Sequence, residues 1–495
     1  MPCQSPERRM TAVADPLGGT RAPRPLNLAT KLFYGVGSVA FGVKDNGFSY
    51  LLLLFYNQVV GMPVQLVGLA LMIALLYDAV IDPLIGQMSD NLRSPWGRRH
   101  PFMYAAALPL ALGYMALWNP PHWGHQALFW YLLLSAMIIR TFSSFFEVPS
   151  SALAAEFSTG YDERSSLLSY RFFFGWIGGL SIQLIAFAVL LRPDATHKVG
   201  QLNPVGYVHY GMVASAVMFC AILISAAGTH SRIPTLMPPP PKRRLSPMQV
   251  LREGAQTLNN RSFLFLLTSS FASAMAIGLG ASLNGYFNTF FWGFTAQQIS
   301  VLTGSVFLAA FAALFAGPRI SRRLGKRRTT VTFFIAAVVV GLAPLLLRTA
   351  GLMPPNHSPL LFGILICTSI VNVTFGIIAT TMGSSMIADV VEEAELKTGR
   401  RSEGLFFAAA AFVAKAVSAC GVAGAAILIS AIHLNPRSDP STVAPDVLQN
   451  LALIYCPVVI GLYSISLLLL SGYRINRASH DETLRQLARN NTAAE

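Results

Sequence analysis

Residues 75–86 read Leu75-Leu76-Tyr77-Asp78-Ala79-Val80-Ile81-Asp82-Pro83-Leu84-Ile85-Gly86. Two aspartates stand four positions apart among neighbours that are almost all apolar. On a helix that spacing puts both carboxylates on one face, about 6 Å apart at the backbone. The apolar run that holds them, Leu66–Met88, is long enough to cross a bilayer. Two carboxylates so close in a low dielectric do not both stay ionised cheaply. Either a proton or a metal cation such as Na+ visits them, or a base such as Lys44, Arg140 or Arg171 neutralises them permanently. Both readings are open at this point.

Runs of the same kind recur along the chain. They predict spans at Leu32–Tyr56, Leu66–Met88, Phe102–Trp118, Ala127–Pro149, Ser166–Leu191 and Tyr207–Gly228. Six more are predicted at Phe263–Phe290, Ile299–Gly317, Thr329–Leu347, Leu360–Met382, Gly404–Ile432 and Leu451–Ser471. The expected fold is therefore an all-α membrane protein of twelve transmembrane helices. Of the 495 residues, 53% are hydrophobic and 12% charged, roughly half the charged fraction of a soluble domain.

The net charge of +14 would raise the question of nucleic acid in a soluble chain. Here the bases fall in alternate loops: Arg93, Arg98 and Arg99; Lys242, Arg243 and Arg244; and the run from Arg319 to Arg328. Loops 57–65, 119–126 and 291–298 hold no Lys or Arg. The positive-inside rule then places both termini in the cytoplasm, and no nucleic-acid partner is expected. The first 26 residues lack an apolar core, so no cleaved signal peptide is expected and the first span should direct insertion. Five cysteines without paired spacing suggest neither a disulfide framework nor a metal site.

The prolines at 238–241 followed by Lys242, Arg243 and Arg244 mark a stiff linker. Ser246-Pro247 is expected to open a short surface helix through about Leu258. The expected organisation is a tail over 1–28, a six-helix bundle over 29–228, a linker over 229–262, a second bundle over 263–473 and a tail over 474–495. The loop Gly86, Ser89, Asp90, Arg93, Trp96, Gly97, Arg98, Arg99 has a degenerate copy in Gly317, Ser321, Arg322, Gly325, Lys326, Arg327, Arg328. Repeated halves are a recurrent transporter plan.

An ionised group at the bilayer centre costs about 2.5–3.5 kcal/mol on insertion scales. The predicted spans hold eight, Lys44, Asp45, Asp78, Asp82, Arg140, Glu147, Arg171 and Lys415, and Asp389 lies near the end of span ten. Structural ion pairs explain a few of these, not all. Glu147 is either a third site carboxylate or the counter-ion of Arg140 two turns earlier. Arg171 offers a guanidinium fork suited to substrate oxygens or to clamping a carboxylate. Lys415 lies mid-span among Ala and Val, or snorkels to an interface. Asp90 with Arg93, Arg98 and Arg99 is expected to form a conformational latch between helices. No phosphate loop, nucleophile elbow or metal-ligand spacing occurs, so no enzyme activity and no cofactor are expected.

The chain resembles the glycoside–pentoside–hexuronide:cation symporters, the melibiose-permease-like branch of the major facilitator superfamily. The resemblance rests on Asp78–Gly86 with Arg93–Pro101, on Phe145-Phe146-Glu147-Val148-Pro149, and on Asp162–Ser166 leading to Tyr170-Arg171-Phe172-Phe173. Asp389-Val390-Val391-Glu392, Arg401, Glu403 and Lys415 also fit. It implies a coupling-cation site at Asp78, Asp82, Glu147 and Ser144. It implies sugar binding by Glu147 and Arg171, with Lys415 beside the cation; Asp45, Lys44, Tyr170 and Lys415 itself are further substrate-binding candidates. Sodium-using members carry an Asn where this chain has Ile81, and losing that oxygen weakens a site for a hard cation; H+ is the favoured coupling ion. Ser151 and Thr380 stand where sugar-stacking aromatics are expected, and Asp45 lies about a turn closer to span two than the family's acid. The resulting expectation is a monomeric inner-membrane symporter of a sugar or glycoside-like solute, with a lysolipid carrier of the same fold as the rival and a non-transporting membrane sensor as the remote alternative.

Overall fold

The computed structural model describes residues 26–157, 161–236, 261–398 and 403–472, together with Glu482 and Gln486. The expected linker helix lies outside the described residues, as do the bases at 242–244 and Arg401; so do the side chains of Asp162, Arg322, Asp389, Glu392 and Glu403. Among the described residues, twelve helical units follow in order. The first, α1 (28–59), is a composite: Leu28–Val36 and Ser38–Asn46, a π turn Gly47–Leu51, Leu52–Leu54, and a second π turn Phe55–Val59. Then come α2 (Val64–Asn91), α3 (His100–Leu117), α4 (His125–Phe157), α5 (Tyr161–Ile185) and α6 (Pro204–His230). The remainder are α7 (Arg261–Tyr286), α8 (Ala296–Leu324), α9 (Lys326–Thr349), α10 (Pro359–Thr398), α11 (Glu403–Ala431) and α12 (Pro445–Ser471).

Among the described residues, nine helices are long and apolar enough to cross a membrane. Backbone groups have no water to bond inside a bilayer, so a helix is the way such runs satisfy themselves. The apolar exterior agrees with that solvent: Leu308, Phe311, Leu314 and Phe315 form an exposed stripe on α8.

Several boundaries differ from the expected ones. α4 runs on through Pro149 to Phe157, two turns past the predicted end. α10 runs to Thr398. The basic run after α8 is helical on both sides of Gly325, whose φ of +80° makes the break between α8 and α9. Gly97, its counterpart in the first copy of the loop, has a φ of +73°. Both copies thus need glycine at the same point, since other residues resist that region.

Close helix contact depends on small residues, as is common between membrane helices. A Cβ on Gly42 of α1 would sit 1.9 Å from the Gly175 carbonyl of α5, and one on Gly179 would sit 2.7 Å from the Gly42 carbonyl. α2 packs on α4 and on α11, α5 meets α8, and α1 meets α7. At the helix ends near 57–65 and 430–438, cross-contacts are polar. Gln58 donates to the Asn435 carbonyl (3.2 Å) and accepts from the Ser438 amide (3.0 Å); Arg437 donates to the Val60 carbonyl (2.6 Å). Gln65 donates to Ser430 (2.5 Å) and Tyr286 to Asn57 (2.9 Å). That end is closed. Away from it, a cavity of about 1110 Å³ lies between the two sets of helices.

Candidate functional site

The carboxylates of Asp78 and Asp82 do share one face of α2, and α4 and α11 bring bases to it. Arg140 of α4 donates to Asp78 at 3.0 Å, with both side chains almost fully buried. Lys415 of α11 lies 3.2 Å from Asp78 and 2.6 Å from Asp82. Ser144, one turn beyond Arg140, donates to Asp82 and approaches Asp78 at 3.5 Å. The Phe48 ring lies 4.9 Å from the Arg140 guanidinium. The cluster holds two acids and two bases, so it is neutral as it stands. A buried pair that loses one partner is strongly destabilised, which is why these four groups hold together.

The bases in direct contact with the carboxylates are Arg140 and Lys415; Arg171 and Lys44 make their direct contacts elsewhere. Arg140 therefore serves Asp78 and is not the counter-ion of Glu147. Among the described residues no group of three or more His, Cys, Asp or Glu is placed to hold a metal.

A second cluster faces the cavity. Asp45, Glu147 and Arg171 line it, from α1, α4 and α5. Lys44 is buried beneath them, 3.4 Å from Asp45 and 4.0 Å from Glu147, with its ammonium 4.9 Å from the Phe41 ring. Arg171 donates to Ser150 (2.8 Å) and to the Glu147 carbonyl (3.2 Å), so the Glu147 carboxylate is shared between Lys44 and the cavity. The π turn at Gly47–Leu51 follows directly on Lys44 and Asp45; such turns often sit at functional sites. Here Gly47 lets α1 approach Tyr114, whose hydroxyl would be 2.0 Å from a Cβ.

α4 joins the two clusters: Ser144 faces the carboxylate pair and Glu147, less than one turn on, faces the cavity. Lys415 binds the carboxylate pair, and neither it nor Tyr170 is among the cavity-lining residues. Tyr170 is half-buried where α5 crosses α1, its carbonyl beside Gly35. Ser151 and Thr380 both line the cavity. Its aromatic surface comes from other positions, including Trp176, Phe334 and Tyr463. Trp176 was legible as a fifth residue after Arg171 but carried no motif.

A third cluster lies at the end of α2. Arg99 pairs with Asp90 and donates to Ser89 at 2.6 Å. Arg98 and Arg99 both bond Glu156 of α4, at 2.8 and 2.9 Å. Arg93 is exposed and stands outside these pairs. Glu156 went unread in the sequence because it lies beyond the predicted end of its span.

The profile of MFS/sugar transport proteins matches residues 33–477. The symporter sll1374 of Synechocystis sp. is 27% identical, over 93% of this chain and 97% of its own length. The isoprimeverose transporter of Lactiplantibacillus pentosus is 22% identical over 88% and 87%. A sodium-dependent lysophosphatidylcholine symporter of Danio rerio is 29% identical, over 32% of this chain and 31% of its own. The solved D-xylose–proton symporter superposes with a TM-score of 0.59 at 13% identity, covering 88% of this chain and 96% of that one; this likeness is one of fold. The helical architecture, the buried charges and the profile agree: the chain is an integral membrane transporter, not an enzyme, and it belongs to the MFS/sugar transport protein family.

Proposed function

We propose that this chain is a cation-coupled symporter of a sugar or glycoside-like solute, working by alternating access with the halves 29–228 and 263–473 rocking about the cavity. The observation that carries this is Lys415, which reaches from α11 to both carboxylates of α2. Its ammonium occupies the place a coupling cation would take. The structure would then correspond to the ion-free carrier, neutral and able to return empty.

When a cation enters, Lys415 must let go of Asp82. The tie between α2 and α11 loosens, and Ser144 and Glu147 on α4 transmit the change to the solute cavity. A carrier with only one site filled holds an unbalanced buried charge, so it reorients poorly. The solute sits against Asp45, Glu147 and Arg171, which bind hydroxyls through charge-assisted hydrogen bonds.

H+ is the preferred coupling ion. Na+ wants several oxygen ligands, and Asp82 already engages Lys415 and Ser144, with Ile81 as its neighbour. The loop charges put both termini in the cytoplasm, and the likeness to an inner membrane symporter of Escherichia coli, 25% identical over 79% of this chain, supports a bacterial inner membrane; we take the carrier to act as a monomer. The closed end then faces outward and the cavity opens inward. Against a lysolipid, the lysophosphatidylcholine symporter matches 32% of this chain and the isoprimeverose transporter 88%, which favours the sugar-like solute.

The test is uptake into proteoliposomes under imposed H+ or Na+ gradients, with glycosides and lysolipids as competitors. Accumulation driven by H+ and competed by glycosides supports the reading. Competition by lysolipid alone, or binding without flux, refutes it.

A further inference from the structure

We infer that the second-half wall of the cavity is a separate subsite for the far end of an elongated, uncharged glycoside, with Asn284 and Asn288 setting specificity; this rests on the glycoside reading above.

The cavity is chemically lopsided. Its charged lining residues, Asp45, Glu147 and Arg171, all come from the first half. Among the described residues, the lining from α7 to α12 carries no charged side chain; it is largely aliphatic and aromatic, and its polar groups are a few amides and hydroxyls. With Lys44 beneath, the charged wall holds two acids and two bases. It is balanced, so a charged solute would arrive uncompensated.

On the opposite wall, several polar groups are spent locally. Asn372 donates to the Ala337 carbonyl (2.6 Å) and Thr368 to the Ile364 carbonyl (2.9 Å). Asn284 and Asn288 differ. The Asn288 amide nitrogen donates to the Asn284 oxygen at 2.9 Å, which leaves the Asn284 NH2 as a donor and the Asn288 oxygen as an acceptor. A donor and an acceptor side by side match a hydroxyl pair on a sugar ring. Phe287, next to Asn288, pairs with Tyr455 (ring centroids 5.0 Å apart) and supplies an apolar face beside the amides; Phe334 with Tyr463 (4.9 Å) supplies another elsewhere in the same cavity.

The two walls are continuous. A Cβ on Gly285 would lie 3.4 Å from the Tyr50 carbonyl of α1, so Asn284 stands beside the stretch of α1 that begins at Asp45. The volume of about 1110 Å³ exceeds the roughly 300–1,000 Å³ of ordinary small-molecule pockets. One sugar ring on the charged wall would leave the amide wall wet.

The experiment is calorimetric binding to the purified full-length protein. The probes are methyl glycosides of glucose, galactose and xylose, and disaccharides of the same sugars. The wild type should bind at least one disaccharide more tightly than its methyl glycoside. Asn284→Ala and Asn288→Ala should each weaken that disaccharide roughly tenfold, as a lost hydrogen bond does, with methyl-glycoside affinity unchanged; the unchanged affinity also reports folding. If both probe classes weaken alike, or the disaccharide is unaffected, the subsite is refuted and the glycoside reading stands. If the wild type binds none of the probes, the glycoside reading fails and the subsite falls with it.

Discussion

Replacing Lys415 with Gln removes the ammonium while keeping most of the side chain's bulk. Two carboxylates then face one base, Arg140. The Lys415–Asp82 contact is 2.6 Å, and each side chain is about a quarter exposed. Unit charges near 4 Å attract by about 4 kcal/mol at an effective dielectric of 20; partial exposure cuts this to about 2 kcal/mol. If the ion-free carrier must bury that deficit in order to return, its return slows roughly 30-fold, at 1.4 kcal/mol per factor of ten. Solute exchange, in which the carrier returns loaded, does not pass through that state. In proteoliposomes, Lys415→Gln should therefore retain exchange of labelled for unlabelled solute while net gradient-driven uptake falls by more than tenfold. Equal loss of both activities, or net uptake at the wild-type rate, would refute the surrogate-cation role.

Three further outcomes follow from the geometry. Glu156→Gln leaves Arg98 and Arg99 without the carboxylate they share; at about 3 kcal/mol for breaking a buried pair, the apparent unfolding temperature should drop, while Arg93→Ala leaves it unchanged. Gly42→Ala drives a Cβ into the Gly175 carbonyl, separating Asp45 from Arg171, and should abolish uptake; Gly363→Ala, with nothing within 4 Å, should not. Gly61 has a φ of +90°, and a Cβ there would lie 2.6 Å from Arg437 Nε. Gly61→Ala should thus cost about 1 kcal/mol in the closed form and raise thiol labelling of a cysteine placed at Ser430.

Much of this architecture could be read from the chain. Apolar runs located the helices because a bilayer leaves the backbone no other option. The Asp78–Asp82 spacing located a charged face because helical geometry is local. What stayed hidden depends on tertiary contact. Lys415 meets Asp82 across 333 positions, a pairing that periodicity does not encode, so the choice among neutralising bases stayed open. Arg140 had two acids within reach along the sequence, and only the packing of α4 on α2 selects Asp78. A proline predicts a helix end at Pro149, yet α4 tolerates it and carries Glu156 onward to the arginines. The cavity's rings, such as Trp176 and Tyr463, look like ordinary lipid-facing aromatics until the helices are assembled.

The account stands on a coupling cation visiting the Asp78–Asp82 pair, and Asp82→Asn in reconstituted vesicles tests it most directly. With a proton gradient imposed, the variant should equilibrate solute across the membrane and accumulate none above the external concentration. Uphill accumulation at the wild-type level would contradict the account.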